Sequence, residues 1–434
     1  MDESLRHAAP AEPAAGAPVP GASRFARWLG PGIVTGASDD DPSGIGTYAQ
    51  AGAQFGTGML WVMLFSFPLM AVVQIISARI GRVTGRGLAA NLAHLMPRML
   101  LVPLMGLLFV ANTINIGADL AAMGAAAALL VPVPGPWLAA GFGAVSVLLQ
   151  VLVPYSRYVR FLQWLTLSLL VYGAVLFAVP VPWGQVLHDA LVPGIQWHSA
   201  YWAMLVGVLG TTISPYLFFW QSAQEVEEQR ASPVDRPLRS APRQAERQLH
   251  RVEVDTLLGM AVSNGVGFCI MLTAALTLNA HGVHDIDSAA SAAEALRPVA
   301  GGWAFALFTL GILGTGLLAI PVLAGSAGYA AAECFGWRRG LERPPASAMR
   351  FYAVIVAATL LGVAMTLLHF NPMKALVVAA VLNGAAAVPV LAAMMVAASR
   401  SAVMGEFTLG RGLRWTGWGA TVLMALAGAV MLFS

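Results

Sequence analysis

The chain has 434 residues, 58% of them hydrophobic and 10% charged, with 24 Lys and Arg against 21 Asp and Glu. A charged fraction so far below the roughly 25% of soluble domains, with a mean hydropathy of +0.72, excludes an ordinary soluble protein and indicates a polytopic membrane protein. The two cysteines, Cys269 and Cys334, stand in apolar helical stretches and read as small buried side chains rather than a disulfide or thiolate metal site.

Residues 1–23 are rich in Ala, Pro and Gly without an apolar core, and read as a disordered cytoplasmic tail rather than a signal peptide. One transmembrane domain is expected over 24–434, built of eleven spans. Span 1 comes in two halves, about 25–38 and 42–55; span 2 covers 59–80, span 3 100–130, span 4 136–153 and span 5 159–179. Span 6 covers 200–224, span 7 254–278, span 8 303–332, span 9 351–368, span 10 373–398 and span 11 415–433. Residues 24–183 and 200–398 thus hold five spans each, and 415–433 adds an eleventh helix.

Lys and Arg accumulate on the cytoplasmic side of a membrane, and here they alternate with the spans. Arg24 and Arg27 precede span 1, Arg79, Arg82, Arg86 and Arg98 surround the second connection, and Arg157 and Arg160 mark the fourth. Arg230, Arg236, Arg239, Arg243, Arg247 and Arg251 fill the sixth, Arg338, Arg339 and Arg343 the eighth, and Arg400, Arg411 and Arg414 the tenth. Only Arg297 and Lys374 fall opposite. A multi-pass protein of the cell (inner) membrane is therefore expected, with its amino terminus cytoplasmic and its carboxyl terminus outside. The pI near 9.1 follows from this topology and marks no nucleic-acid patch.

The stretch Gly36-Ala37-Ser38-Asp39-Asp40-Asp41-Pro42-Ser43-Gly44-Ile45-Gly46 lodges three carboxylates inside span 1. Isolated burial of such a charge costs at least ~3 kcal/mol, so an intramembrane acid points to function. Pro42 removes a backbone donor and turns Asp41 away from helix, which predicts a break. Span 6 repeats the device in Gly210-Thr211-Thr212-Ile213-Ser214-Pro215-Tyr216. Each half therefore opens with a helix interrupted before a proline, and five spans per half invert the second half relative to the first. That is the pattern of an inverted repeat whose substrate sits at the broken helices near the midplane; simple proline kinks are the alternative.

The ligands available at the breaks are the Asp41 carboxylate, the hydroxyls of Ser43, Thr211, Thr212 and Ser214, and carbonyls freed at Ser38 and Thr211. All are oxygen, and neither break contains His, Cys or Met, which suits hard cations such as Mg2+, Ca2+ or Mn2+. Small residues such as Gly44, Ser43 and Ser214 leave room for the waters that Mg2+ keeps.

Gly30-Pro31-Gly32, Asp41-Pro42-Ser43-Gly44, Ala51-Gly52-Ala53-Gln54-Phe55-Gly56 and Leu60-Trp61 resemble the opening helices of the Nramp family of divalent metal transporters, and the resemblance runs along spans 1 to 10. It implies an all-α, leucine-transporter-like fold: a 5+5 inverted repeat with broken helices 1 and 6, plus an eleventh helix. In that family span 1 carries Asp-Pro-Gly-Asn and span 6 Met-Pro-His, and Asp, Asn, Met and backbone carbonyls hold the metal. Asp41 keeps the acidic position, while Gly44 stands where Asn is expected, Ser214 where Met is, and Tyr216 where His is. Without the thioether, the pattern is similar to the branch called Nramp-related magnesium transporters. The family's proton route uses an Asp on span 3 and a Glu three residues later; Asp119 fits the first, Ala122 replaces the second, and Gln221 replaces a further His of span 6.

The expected metal site is therefore Asp41, the carbonyls of Ser38 and Thr211, Ser214 and Gly44, with Asp119, Asn115, Tyr216 and Gln221 along the ion path. Asn112, Asn115 and Asp119 share one face of span 3; bonding between helices accounts for the asparagines, whereas a buried carboxylate needs the stronger reason of the path. Asp39 and Asp40 are expected either to attract cations at the mouth of the site or bind them directly, or to cap the end of the break. Glu225, Glu227 and Glu228 are expected as a solvated cluster facing the basic sixth loop, and His281, His284, Asp285 and Asp287 as a hydrated outer loop. Asn383 on span 10 is left open between the site and a neighbouring helix.

No nucleophile and base pair or phosphate-cradling loop suggests an enzyme. The reading is a secondary transporter of divalent metal cations, Mg2+ and Mn2+ foremost, working by alternating access around the two breaks. A proton-coupled Mn2+ or Fe2+ importer and a sodium-coupled carrier of an organic solute are the alternatives. The metal is substrate rather than cofactor, the lipid bilayer is the other partner, and neither nucleic acid nor an obligate protein partner is expected.

Overall fold

The computed structural model describes residues 30–155, 157, 167–367 and 371–433. The expected tail, the start of span 1 with Arg24 and Arg27, Arg160 and the first part of span 5 lie outside them. Asp41, the residue before Pro42, is extended (φ −68°, ψ 168°), and this splits the first span into α1 (Pro31–Asp39) and α2 (Pro42–Phe55), which starts on the proline. There follow α3 (Leu60–Thr84), α4 (Leu88–Ala93), α5 (Arg98–Ala127), α6 (Gly135–Leu152), α7 (Leu170–Ala178) and α8 (Trp183–Leu191). The second half repeats the opening with α9 (Ser199–Thr212) and α10 (Pro215–Ala231), parted at an extended Ser214 (φ −79°, ψ 127°). It continues through α11 (Ala245–Thr277), α12 (Ala289–Glu294), α13 (Ala304–Phe335), α14 (Met349–Thr366), α15 (Pro372–Ser399) and α16 (Arg411–Phe433). The described residues are helical or irregular, without a strand.

Nine segments among the described residues are long and apolar enough to cross a membrane. One of them, Pro42–Thr84, contains both α2 and α3, and span 5 is described only over Leu167–Ala178, which accounts for the difference from the eleven expected. α11 begins at Ala245, well before the expected 254. Its first turns carry Glu246, Arg247, Gln248 and Arg251, good helix formers that hydropathy cannot register because they stand beyond the apolar window. The short helices α4, α8 and α12 stand outside the eleven expected spans because six to nine residues are too few to cross a membrane.

α5 packs against α6, α13, α14 and α15, α9 against α15, and α1 and α2 both lie along α11. Small residues permit the closest approaches, as is usual between membrane helices: a Cβ on Gly36 would run into the Gly259 backbone, and one on Gly210 into Ala380 and Gly384. α1 has no capping side chain of its own. Asp255 of α11 serves instead, accepting the Gly30 amide at 3.1 Å and the Gly32 amide at 2.7 Å.

The outer surface is apolar, with Met99, Phe177, Trp137 and Trp415 exposed, as a lipid-facing surface requires. One cluster of charges is held inside. Glu225, expected in a solvated cluster, is buried and accepts Arg82 Nε of α3 at 2.5 Å, while Glu228 takes both Arg82 and Arg251. Burial of Arg82 itself explains the difference, because a buried guanidinium must find a carboxylate.

Candidate metal centre

Asp41 caps the amino end of α2. Its Oδ1 accepts the Gly44 amide at 2.7 Å, and its Oδ2 accepts Asn115 Nδ2 of α5 at 3.0 Å and the Tyr216 hydroxyl of α10 at 3.3 Å. The same Tyr216 hydroxyl stands 3.3 Å from the Ser38 carbonyl. One phenol proton is thus shared between the two oxygens at the end of α1 and the start of α2. Asp119, one turn beyond Asn115 on α5, is fully buried and faces the Asp41 carboxylate and the Ser43 amide; neither of its oxygens closes a hydrogen bond of ordinary geometry.

At the second break the polar groups turn inward. The Ser214 hydroxyl donates to the carbonyls of Gly210 at 2.7 Å and Thr211 at 2.8 Å, and the Thr211 hydroxyl donates to Tyr48 of α2 at 2.7 Å. The structure therefore gathers Asp41, the Ser38 carbonyl, Gly44, Asn115, Tyr216 and Asp119 into one cluster. Thr211 and Ser214 stand in the partner break, bonded to their own helix end and to α2. Gln221 lies two turns along α10 and donates to Thr256 of α11 at 2.7 Å rather than reaching Asp41. Gly44 takes part through its amide, which Asp41 caps. Asn383 is buried with its Oδ1 unpartnered among the described residues.

Asp39 and Asp40 point the other way. Both accept from the Ser263 hydroxyl of α11, at 2.8 Å and 3.3 Å, and the three acids of the triplet are each less than 5% exposed. Ser263 and Tyr48 were missed in the sequence because a lone hydroxyl in an apolar span carries no motif. The outer-loop residues are engaged locally: His281 Nδ1 meets the Thr277 carbonyl, His284 Nδ1 meets Asn279 Nδ2, Gln50 of α2 donates to the His284 carbonyl and to Asp285, and Asp287 pairs with Lys374 at 3.2 Å. The Met123 sulfur and the Pro42 ring both lie against Gly316 of α13, where a Cβ would meet them.

Among the described residues no group of three or more His, Cys, Asp or Glu is arranged to hold a metal. A cation here would rest on one or two carboxylates, carbonyls and neutral oxygens. That donor set suits a hard ion which keeps part of its water.

A family profile described as "Nramp: Natural resistance-associated macrophage protein-like" matches residues 32–434. The divalent metal cation transporter MntH of Acidiphilium cryptum is 27% identical over 417 residues, 93% of this chain and 88% of that protein. Among solved structures, the Eremococcus coleocola manganese transporter, in complex with an aromatic bis-isothiourea substituted compound, is similar with a TM-score of 0.76 at 17% identity, covering 95% of this chain and 88% of that one. The inward-facing conformation of Mhp1 is similar with a TM-score of 0.50 at 14% identity over 93% and 90% of the two chains. The shared architecture is the leucine-transporter-like fold, with broken first and sixth helices and an eleventh helix.

Proposed function

The chain belongs to the Nramp family, and from that premise we propose that it carries divalent metal cations, Mg2+ and Mn2+ foremost, by alternating access around Asp41. It is a multi-pass membrane transporter and not an enzyme; the metal is its substrate, and the family indicates no cofactor. The observation that carries the reading is the set of groups around Asp41: its own carboxylate, the Ser38 carbonyl linked to it by the Tyr216 hydroxyl at 3.3 Å from each, the Asn115 side chain, whose Nδ2 donates to Asp41, and the buried Asp119 carboxylate. No soft ligand stands in either break, because Ser214 occupies the place of a thioether. Alternating access is supported by burial: Asp41, Ser38, Thr211 and Ser214 are each less than 5% exposed, so a bound ion would be shut off from both sides until one opens.

The alternation of arginines supports a cytoplasmic amino terminus and an outer carboxyl terminus, with 24–183 and 200–398 as the two repeats and 415–433 apart. The buried acids without a basic partner argue against a carrier of organic carboxylates. A second reading, a proton-coupled Mn2+ or Fe2+ importer, is favoured by the manganese transporter likeness.

Flux into liposomes with Mg2+-, Mn2+- and pH-sensitive dyes inside tests both. Mg2+ uptake without acidification is expected, abolished by Asp41→Ala in a folded protein. Mn2+ uptake with acidification and no Mg2+ flux would establish the second reading instead, and normal uptake by Asp41→Ala would refute the site.

A further inference from the structure

We propose that Asp255 of α11 is a positioning residue for the metal site, setting through α1 where the Ser38 carbonyl and the Asp41 carboxylate stand. The inference rests on the reading that the metal is held at the first break.

α1 is nine residues long and offers unpaired amides at its start, with Pro31 contributing none and no side chain of its own capping the rest. A helix of that length does not hold its shape alone. The Asp255 carboxylate supplies the cap, one oxygen to each of two amides, and is itself buried. The approach is as close as backbone allows: a Cβ on Gly32 would stand 2.6 Å from the Thr256 backbone, and one on Gly30 2.7 Å from Asp255 Cγ.

The contact continues along one face of α11 at four-residue intervals. Gly259 receives Gly32 and Gly36, Ser263 donates to Asp39 and Asp40, and Gly267 meets Tyr48 on α2. α11 thereby grips α1 at both ends, by an amide cap at its start and by the acid pair at its finish. Between the grips lies a rod of about 13 Å, and the Ser38 carbonyl and Asp41 follow directly from where it ends. Asp255 touches none of the expected ligands, so its effect passes through the placement of α1.

Initial rates of Mg2+ and of Mn2+ uptake into liposomes, measured against metal concentration for the full chain, separate this role from a general contribution to folding. Outer groups that orient metal ligands typically change affinity 10- to 100-fold when lost. Asp255→Ala is expected to raise KM about tenfold at a Vmax within about twofold of wild type per reconstituted protein. Asp255→Asn, which keeps one acceptor, and Ser263→Ala should each raise KM by about threefold. A lower Vmax at unchanged KM would overturn the proposal, since it reports fewer folded molecules. Should Asp255→Ala fail to fold, unchanged KM in both Asp255→Asn and Ser263→Ala overturns it equally. Asp41→Ala, run alongside, tells the two readings apart: if it abolishes uptake while Asp255→Ala keeps the wild-type KM, the positioning role alone falls. If Asp41→Ala transports normally, the site reading fails and takes this inference with it.

Discussion

The Tyr216 hydroxyl stands between the two oxygens best placed to hold a cation at the first break, the Ser38 carbonyl and Asp41 Oδ2. A metal bound there must displace or share it. Loss of one such hydrogen bond is worth about 1 kcal/mol, so Tyr216→Phe should bind Mn2+ roughly fivefold more tightly, as read by calorimetric titration; weaker binding would make the phenol a ligand rather than a competitor. Ser214 gives the complementary test. Its hydroxyl occupies the carbonyls of Gly210 and Thr211, so Ser214→Met both frees the Thr211 carbonyl and adds a soft sulfur. Competition assays should show the preference for Mn2+ over Mg2+ rising about tenfold, the equivalent of about 1.4 kcal/mol. An unchanged preference would mean that position 214 does not line the site.

Helices α2 and α8 meet outside the membrane-spanning segments through a carboxyl on one and the turn after the other. Asp189 of α8 accepts the Thr57 hydroxyl at 2.5 Å and pairs with His188 at 3.0 Å, and these bonds hold its carboxyl below the usual carboxylate range. A carboxyl depressed in the folded state contributes stability that is complete above its unfolded value, about pH 4, and is lost as the pH falls through its folded value. Thr57→Val should therefore lower the Tm in detergent at pH 7, with the difference shrinking as the pH drops below the unfolded value of about 4. A difference that stays constant would assign the effect to packing. The same scale explains why α11 runs longer than hydropathy indicates: its charged first turns leave the apolar window but go on forming helix.

Across the whole molecule, charge is sorted by depth. Arg82 is carried inward to meet Glu225 and Glu228, and the acids of the first break sit buried with no ion pair to Lys or Arg among the described residues. The proposed orientation predicts that a tag on the carboxyl terminus is reached by an impermeant reagent on intact cells while one on the amino terminus is not. Protection of both would require an even number of crossings and remove the odd helix from the scheme. Under the proposed mechanism, with each acid of the triplet under 5% exposed, an ion reaches it only after one side of the molecule opens.

Much of this was legible in the chain itself. Asp-Pro and Ser-Pro in mid-span, each set in a run of small polar residues, mark where the helices break, since proline disfavours helix at the residue before it. Proline alone does not decide it, for Pro68, Pro103, Pro321 and Pro389 lie inside unbroken helices. An apolar run long enough to span can do little else. What only the tertiary structure decided are the partners of single polar groups: that Tyr216 joins Ser38 to Asp41, that Ser214 turns back on its own helix, that Gln221 goes to Thr256, and that Asp255 and Ser263 hold the two ends of α1. Backbone rules act between neighbours in sequence. These side-chain bonds instead join residues up to 225 positions apart, and the packing of glycine against glycine determines which of them come within reach.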